Sequence, residues 1–339
     1  MKRLYVGIDL HSNNNVLVVC DENDETVFGR RLPNVLSSVL GKLEPYRDAI
    51  VGVVVESTFN WYWLVDGLME AGYRTHLANT AAVRQYEGLK YSDDSTDASW
   101  LARLLRLGLL PEGYVYPKEE RSVRDLLRKR GHLVRQRTAN MLSIQNLVSR
   151  NTGMMLNGNR IKRLTEQDVD KMLPEENIAL AVKSSLAVIG CLKTQILSLE
   201  RTVKDRVRLR EEYTGLLTVS GIGTILALTI MLETGEIGRF AQVGNYASYC
   251  RCVGSTRISN SKRKGSGNRK NGNRYLAWAF VEAANFAIRY DQGIKRYYQR
   301  KKARTSVVVA RKAVAHKLAR ACFYILRDRV PFDVNKAFA

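Results

Sequence analysis

At 339 residues with 45% hydrophobic side chains, the chain is long enough to bury two cores and has the composition of a soluble protein. Its 54 Lys and Arg against 33 Asp and Glu leave a formal charge of +21, which points to a polyanionic partner and away from an ordinary small-metabolite enzyme. No apolar run reads as membrane-spanning, Met1-Lys2-Arg3 leads into a strand instead of a signal-peptide core, and the five scattered cysteines (Cys20, Cys191, Cys250, Cys252, Cys322) exclude a disulfide framework, so a reducing cytosol is the expected setting.

Residues 3–10, 15–20 and 26–32 predict three short strands separated by polar turns, the spacing of an antiparallel meander. The first, ending Val6-Gly7-Ile8-Asp9-Leu10-His11, is an apolar run that closes on one carboxylate. Burying Asp9 is costly unless a cation or a hydrogen-bond partner compensates it. A helix is expected from Asn34 to about Tyr46, then a buried strand over the β-branched run Ile50–Val55, which also ends in an acid, Glu56. A helix over 60–71 closed by Gly72, a strand from Tyr73 to Leu77, and helices from about Ala81 and over Ser95–Leu107 complete this part. Trp61, Tyr62 and Trp63 read as core. Three meander strands followed by alternating helix and strand is the order of a ribonuclease-H-like α/β fold, in which strand-end and helix-start carboxylates meet at one sheet edge.

Asp94 and Asp97, three apart in Ser92-Asp93-Asp94-Ser95-Thr96-Asp97, share one face of a first helical turn. Alone, the segment reads as helix capping, with Asp94 or Ser95 as N-cap. Together with Asp9 and Glu56 it could surround divalent cations, since Mg²⁺ favours carboxylate oxygens, and two ions about 4 Å apart can stabilise both oxygens of a phosphoryl transfer. Asp93 is the neighbour that could exchange roles with Asp94. His11, His76, His132 and His316 are isolated, and Cys250 and Cys252 lack a second pair, so zinc is not indicated.

From about 117 to 212 glycine becomes rare and apolar residues fall at helical spacing, which predicts two long antiparallel helices forming a coiled-coil-like arm with a turn-rich tip near Asn151–Pro174, with a compact helical bundle as the alternative. Residues 213–339 predict a mainly helical domain. Within it, Gly221-Ile222-Gly223 resembles a helix-hairpin-helix turn, where glycine admits a phosphate, although a tight helical turn explains it nearly as well. The stretch 251–274 carries Arg251, Arg257, Lys262, Arg263, Lys264, Arg269, Lys270 and Arg274 among serines, glycines and asparagines without one acid. It predicts a nucleic-acid-binding loop. A serine there can act as a nucleophile if neighbouring arginines stabilise a phosphoserine, and spacing does not choose among Ser255, Ser259, Ser261 and Ser266.

Y-V-G-I-D-L-H around Asp9, V-V-V-E-S-T around Glu56 and S-D-D-S-T-D-A around Asp94 and Asp97 resemble the DEDD motif of a group of bacterial insertion-sequence transposases related to the Piv-type DNA invertases. The run from L-L-T-V-S-G-I-G through Y-A-S-Y-C-R-C-V-G-S-T-R-I-S-N-S-K-R-K-G-S-G-N resembles the same group's C-terminal domain, so the likeness spans nearly the whole chain. It implies a RuvC-like metal-binding domain over 1–115, a helical arm over 116–212 and a C-terminal transposase domain over 213–339. It further implies that Asp9, Glu56, Asp94 and Asp97 bind Mg²⁺ or Mn²⁺, and that Ser259 attacks DNA to form a covalent link. The group commonly has glycine after this serine. Here Asn260 follows, a residue tolerant of the left-handed conformation, and Ser261 is the competitor. The implied partners are donor and target DNA, a structured noncoding guide RNA from the element's own end, and further copies of the chain as a dimer or tetramer, with no membrane. The implied setting is the bacterial cytoplasm, at the nucleoid. Two other readings compete: a metal-dependent junction resolvase or nuclease without a covalent intermediate, and a non-catalytic nucleic-acid-binding protein. Four convergent acids weigh against the last, since carboxylates repel a phosphate unless a cation intervenes.

Overall fold

A computed structural model of the chain describes residues 2–83, 93–207, 210–254, 256–265 and 271–338. The described chain separates into two compact units, one of residues 1–118 with 255–271, the other of 119–254 with 272–339.

The first unit is built on a five-stranded mixed sheet. Its strands are β1 (Leu4–Leu10), β2 (Asn14–Cys20), β3 (Thr26–Pro33), β4 (Ile50–Glu56) and β5 (Thr75–Ala78), in the spatial order β3-β2-β1-β4-β5. β1, β2 and β3 form the antiparallel meander, while β4 and β5 add in parallel. Helices α1 (Leu36–Leu43), followed by a 3₁₀ turn over Glu44–Ala49, and α2 (Tyr62–Glu70) cover one face. There Val6, Ile8, Val53, Val55, Leu64 and Leu68 pack into one apolar cluster. Each such fully buried side chain contributes about 1.5–3 kcal/mol of transfer free energy. Trp61 belongs to this core, as its position predicts. Gly72 ends the α2 segment with φ +87°, a left-handed geometry that glycine adopts without steric cost.

Helix α3 (Asp94–Arg106) crosses the other face, where Tyr5, Val16, Val18 and Cys20 meet Ala98 and Ala102. Small residues allow this close approach, because a Cβ on Gly7 would overlap the Ala98 carbonyl. The N-cap is Asp93, whose carboxylate accepts from Thr96 N at 2.8 Å and Thr96 Oγ1 at 2.7 Å. Sequence placed the cap one or two residues later; the Asp93–Thr96 pairing decides the register and leaves Asp94 and Asp97 inside the helix. At the far end Arg106 makes a bidentate pair with Asp24 on the β2–β3 turn, at 2.8 and 2.7 Å. The helix expected from about Ala81 lies largely outside the described residues.

In the second unit, α4 (Lys118–Thr152) and α7 (Glu176–Val207) run antiparallel. Val123 and Leu127 of α4 share a core with Val203 and Val207, and Ile144 and Val148 share another with Val182 and Ile189. Arg130 and Glu200 pair between them at 2.6 Å. Two short helices, α5 (Gly158–Ile161) and α6 (Glu166–Met172), stand where a turn-rich tip was expected. Thr165 and Asp168 form a capping box that starts α6, and Leu156, Ile161 and Val169 bury themselves against the two long helices. α7 also contains an 18-residue stretch of mean hydropathy 1.4, long and apolar enough to cross a membrane by composition alone, which a reading for uninterrupted apolar runs passes over because of its isolated lysines.

The remaining helices are α8 (Glu211–Leu217), α9 (Thr224–Thr234), α10 (Val243–Tyr249), α11 (Arg274–Tyr290), α12 (Gln292–Lys302), α13 (Val307–Asp328) and α14 (Val334–Phe338). They enclose a core around Tyr246, Phe280 and Phe323. Gly221 between α8 and α9 has φ +89°, and a Cβ there would strike the α11 backbone at Ala283 and Ala287. Helix packing accounts for that glycine, whereas Gly223 faces open space.

Between α10 and α11, part of the expected loop is a hairpin of β6 (Arg257–Ser259) and β7 (Lys262–Gly265), which falls within the first unit. Its two-residue turn, Asn260-Ser261, has φ +49° and +57°, the pattern of the tight turns that match strand twist. Such a ribbon needs no core of its own, so composition does not reveal it.

Candidate metal centre and basic hairpin

The parallel register of β1 and β4 pairs Ile8 with Val55, so Asp9 and Glu56 emerge side by side at the same sheet edge. Strand alternation turns Asp9 to the same face as Tyr5 and Gly7, and Glu56 to the same face as Val54. This is the face that α3 covers. The Gly7–Ala98 approach therefore carries Asp97, the residue before Ala98, to the two strand-end acids. Asp9, Glu56 and Asp97 line one cavity of about 240 Å³, with Thr80, Val83, Trp100 and Leu101 as its other walls.

Burial and the closeness of the acids together set the electrostatics of this cavity. Burial pushes the Glu56 carboxyl up to about 8; a hydrogen bond with Asp9 and the negative charges of Asp9 and Asp97 add to the effect. Asp9 itself is 4% exposed. Carboxylates this close retain a proton between them or attract a cation.

Asp94 lies on the other side of Asp9. The His11 Nε2 atom is 3.2 Å from an Asp9 oxygen and 3.3 Å from an Asp94 oxygen, and Arg31 of β3 reaches the same Asp94 oxygen at 2.6 Å. His11 Nε2 is buried yet off-axis for a hydrogen bond, and Asp9, His11 and Asp94 offer ligand atoms all within 4.8 Å of one another, close enough to hold a metal ion. The His11 main chain is fixed by the side-chain amides of Asn34 and Asn60, which donate to its carbonyl at 3.0 and 2.9 Å. All four acids thus gather around Asp9, in two subgroups. Asp93 is occupied as the N-cap, where its hydrogen bonds from Thr96 hold its carboxyl below the usual range.

His11 and Arg31 were not among the candidates read from the sequence. The available signal for His11 was its place two residues past Asp9, at a strand exit. Nothing in the spacing of Arg31 foretells its role, since only sheet order brings it near Asp94.

On the hairpin, Ser259 is the last residue of β6 and stands opposite Lys262. Cross-strand partners share a face, so Ser259 and Lys262 face the same side, both exposed, while Lys264, also exposed, falls at a register irregularity of the hairpin. Asn260 adopts the left-handed geometry that follows the serine, as expected of asparagine in that position. Arg251 sits at the loop's base, donating from Nε and a terminal nitrogen to the Gly272 carbonyl at 3.1 and 2.9 Å. Arg274 is exposed at the start of α11, with its guanidinium over the Tyr275 ring. Arg269, Lys270, Ser255 and Ser266 lie outside the described residues, as do the side chains of Arg257 and Arg263.

An acid cluster at a sheet edge, joined in one chain to a basic hairpin and a large helical unit, is an arrangement found in DNA-recombining enzymes, and comparison with known proteins puts this chain among the transposases. A family model for IS110-type DEDD transposases matches residues 6–151, and one described as transposase of the IS116/IS110/IS902 family matches residues 213–299. The chain belongs to the IS110 family of transposases. It is similar to the transposase of insertion sequence element IS1111A from Coxiella burnetii (strain RSA 493 / Nine Mile phase I), 22% identical over 338 residues, an alignment covering 96% of this chain and 87% of the relative.

Proposed function

We propose that the protein is a DNA recombinase that cuts and rejoins strands with a divalent-metal centre at Asp9, Glu56, Asp94 and Asp97 and a nucleophile at Ser259. The observation that carries this reading is the convergence of Asp9, Glu56 and Asp97 on one cavity, where burial, with the neighbouring acids adding to it, pushes the Glu56 carboxyl up to about 8. Such a donor set fits Mg²⁺ or Mn²⁺, because hard cations favour clustered carboxylate oxygens, and His11 adds a nitrogen donor beside Asp9 and Asp94. A bound divalent ion would polarise the scissile phosphate and offset the charge that develops on it.

The strand order β3-β2-β1-β4-β5, antiparallel then parallel, supports a ribonuclease-H-like (RuvC-like) domain over 1–115, with the arm over 116–212 and the transposase domain over 213–339. Asp9, buried in the central strand, is the acid the others gather around and would hold the ion with them, while Asp97 and Asp94 are set by the first turn of α3. In the chemical step the Ser259 hydroxyl loses its proton to solvent, its oxygen bonds to phosphorus, and the phosphorus bond to the leaving sugar oxygen breaks. That sugar oxygen then takes up a proton. No water enters the diester, so the reverse attack by a sugar hydroxyl reseals a strand. Lys262, on the serine's face of the hairpin, neutralises the phosphate, and Lys264 adds charge nearby on the same strand. Arg251 closes the loop's base, and the remaining basic residues, Arg257, Arg263, Arg269, Lys270 and Arg274, extend the nucleic-acid surface. The partners on this reading are donor and target DNA, a structured guide RNA and further copies of the chain, with base pairing reading sequence and the protein reading backbone.

The test is a covalent adduct assay with purified protein, Mg²⁺ or Mn²⁺, guide RNA and end-labelled donor DNA. A denaturant-resistant protein–DNA adduct is expected with the wild type and absent in Ser259→Ala and Asp9→Asn. Cleavage by Ser259→Ala at the wild-type rate would replace this reading with a metal-activated-water nuclease or junction resolvase.

A further inference from the structure

The second unit contains a cavity of about 420 Å³ between α4, α9 and the start of α11 that the metal chemistry does not use. Its volume falls within the range of about 300–1,000 Å³ common to small-ligand sites. Four arginines line it, and they divide into two kinds. Arg128 makes a bidentate pair with Glu233 at 2.6 and 2.7 Å, and Arg130 pairs with Glu200. Arg135 and Arg274 have no carboxylate partner among the described residues. The cavity therefore keeps two uncompensated guanidinium groups.

The same cavity holds an open aromatic face. Tyr275 is already covered by the guanidinium groups of Arg128 and Arg274, at 4.6 and 5.0 Å from its ring centre. Trp278, one helical turn on, is 45% exposed and makes no ring or cation contact among the described residues. Further along α11, Phe286 and Tyr290 stand exposed with rings parallel within 5°. The walls are tied to one another. Glu233, 2% exposed, ties α4 through Arg128 to Asn273, whose amide donates to it at 2.8 Å while its oxygen caps the first N–H groups of α11. A pocket with one open indole and two guanidinium groups that lack a carboxylate partner, Arg274 also donating to the Tyr275 hydroxyl at 3.0 Å, matches a nucleotide, its base stacking on the ring and its phosphate pairing with arginine. A folded duplex offers no such base, since its rings are already stacked.

We infer that this cavity captures one unpaired nucleotide of a single-stranded segment, stacking its base on Trp278 and holding its phosphate with Arg135 and Arg274. Capture needs no divalent ion, so the inference stands apart from the metal centre and from Ser259.

The test measures binding of the full-length protein in EDTA to a fluorescent oligonucleotide, as single-stranded DNA, as single-stranded RNA and as the DNA duplex. A second single strand carries abasic sites in place of its bases. Trp278→Ala should weaken single-strand binding about tenfold, the loss expected for one base–aromatic stack, and leave duplex binding unchanged. Trp278→Phe should recover most of the loss, and the abasic strand should bind wild type and Trp278→Ala alike. Arg135→Gln should weaken single-strand binding and flatten its salt dependence. Whichever of the DNA and RNA arms shows the Trp278 effect identifies the captured strand. Equal binding by wild type and Trp278→Ala in both single-strand arms, or an equal loss on the duplex and the abasic strand, overturns the inference.

Discussion

The Glu56 carboxyl and the Asp9 carboxylate, at the exits of two parallel neighbouring strands, share a hydrogen bond beside Asp97. One proton is held where two or three negative charges would otherwise face one another. A cation that enters this cavity must displace that proton, and the predictions for the metal centre begin there.

Titration with Mg²⁺ or Mn²⁺ near pH 7 should release a proton from Glu56, whose carboxyl titrates at about 8. The apparent affinity should strengthen as pH rises toward 8 and level off above it. Calorimetry in buffers of different ionisation enthalpy counts the proton. Glu56→Gln should remove the release and weaken binding, and a metal affinity independent of pH between 6 and 8 would contradict the shared-proton arrangement.

The same group sets a pH dependence of stability without metal. The folded-state value of Glu56, about 8, lies above its ordinary 4.5, so between those limits the folded protein holds more protons than the unfolded chain. Stability then falls as pH rises through this window, with the contribution intact below about 4.5 and the loss complete above about 8. Melting curves in EDTA from pH 5 to 8 should show wild type losing ground steadily to Glu56→Gln. Parallel curves for the two proteins would mean that Glu56 is not crowded.

Gly7 admits α3 to the sheet, and any side chain there must push the Ala98 backbone away. Gly7→Ala should cost about 1–3 kcal/mol in urea unfolding, and Gly7→Val more. Because Asp97 precedes Ala98, Gly7→Ala should also weaken divalent-ion binding, an effect absent from Gly29→Ala, where a Cβ meets only side-chain methyl groups at ordinary distances.

Ser261 occupies a left-handed conformation with φ +57° in the hairpin turn. A residue other than glycine or asparagine pays roughly 1–2 kcal/mol there, part of which glycine recovers. Ser261→Gly should slow amide exchange in β6 and β7 and leave the covalent-adduct yield intact. An adduct lost in Ser261→Gly and kept in Ser259→Ala would transfer the nucleophile's role to Ser261.

Much of the first unit is legible in the chain itself. The β-branched run of β4, the strand spacing of the meander and the acid near the end of each of two strands are plain in the local sequence, since buried strands select β-branched residues, although Asp9 is itself buried. The long helices α4 and α7 are equally plain, because one apolar stripe at helical spacing is enough to pair them. Partnerships between distant residues are not legible in this way. Asp93 is the cap because Thr96 answers it, a competition among adjacent acids settled by two hydrogen bonds. His11 stands two residues past Asp9 but meets Asp94 only when α3 closes over the sheet, and Arg31 arrives through strand order. The Trp278 cavity needs three helices that meet nowhere in sequence. Residue type and period thus determined which segments fold and where charge sits along them. Tertiary packing decided which charges face one another, because a Coulomb interaction depends on separation in space and chain order constrains that separation only locally.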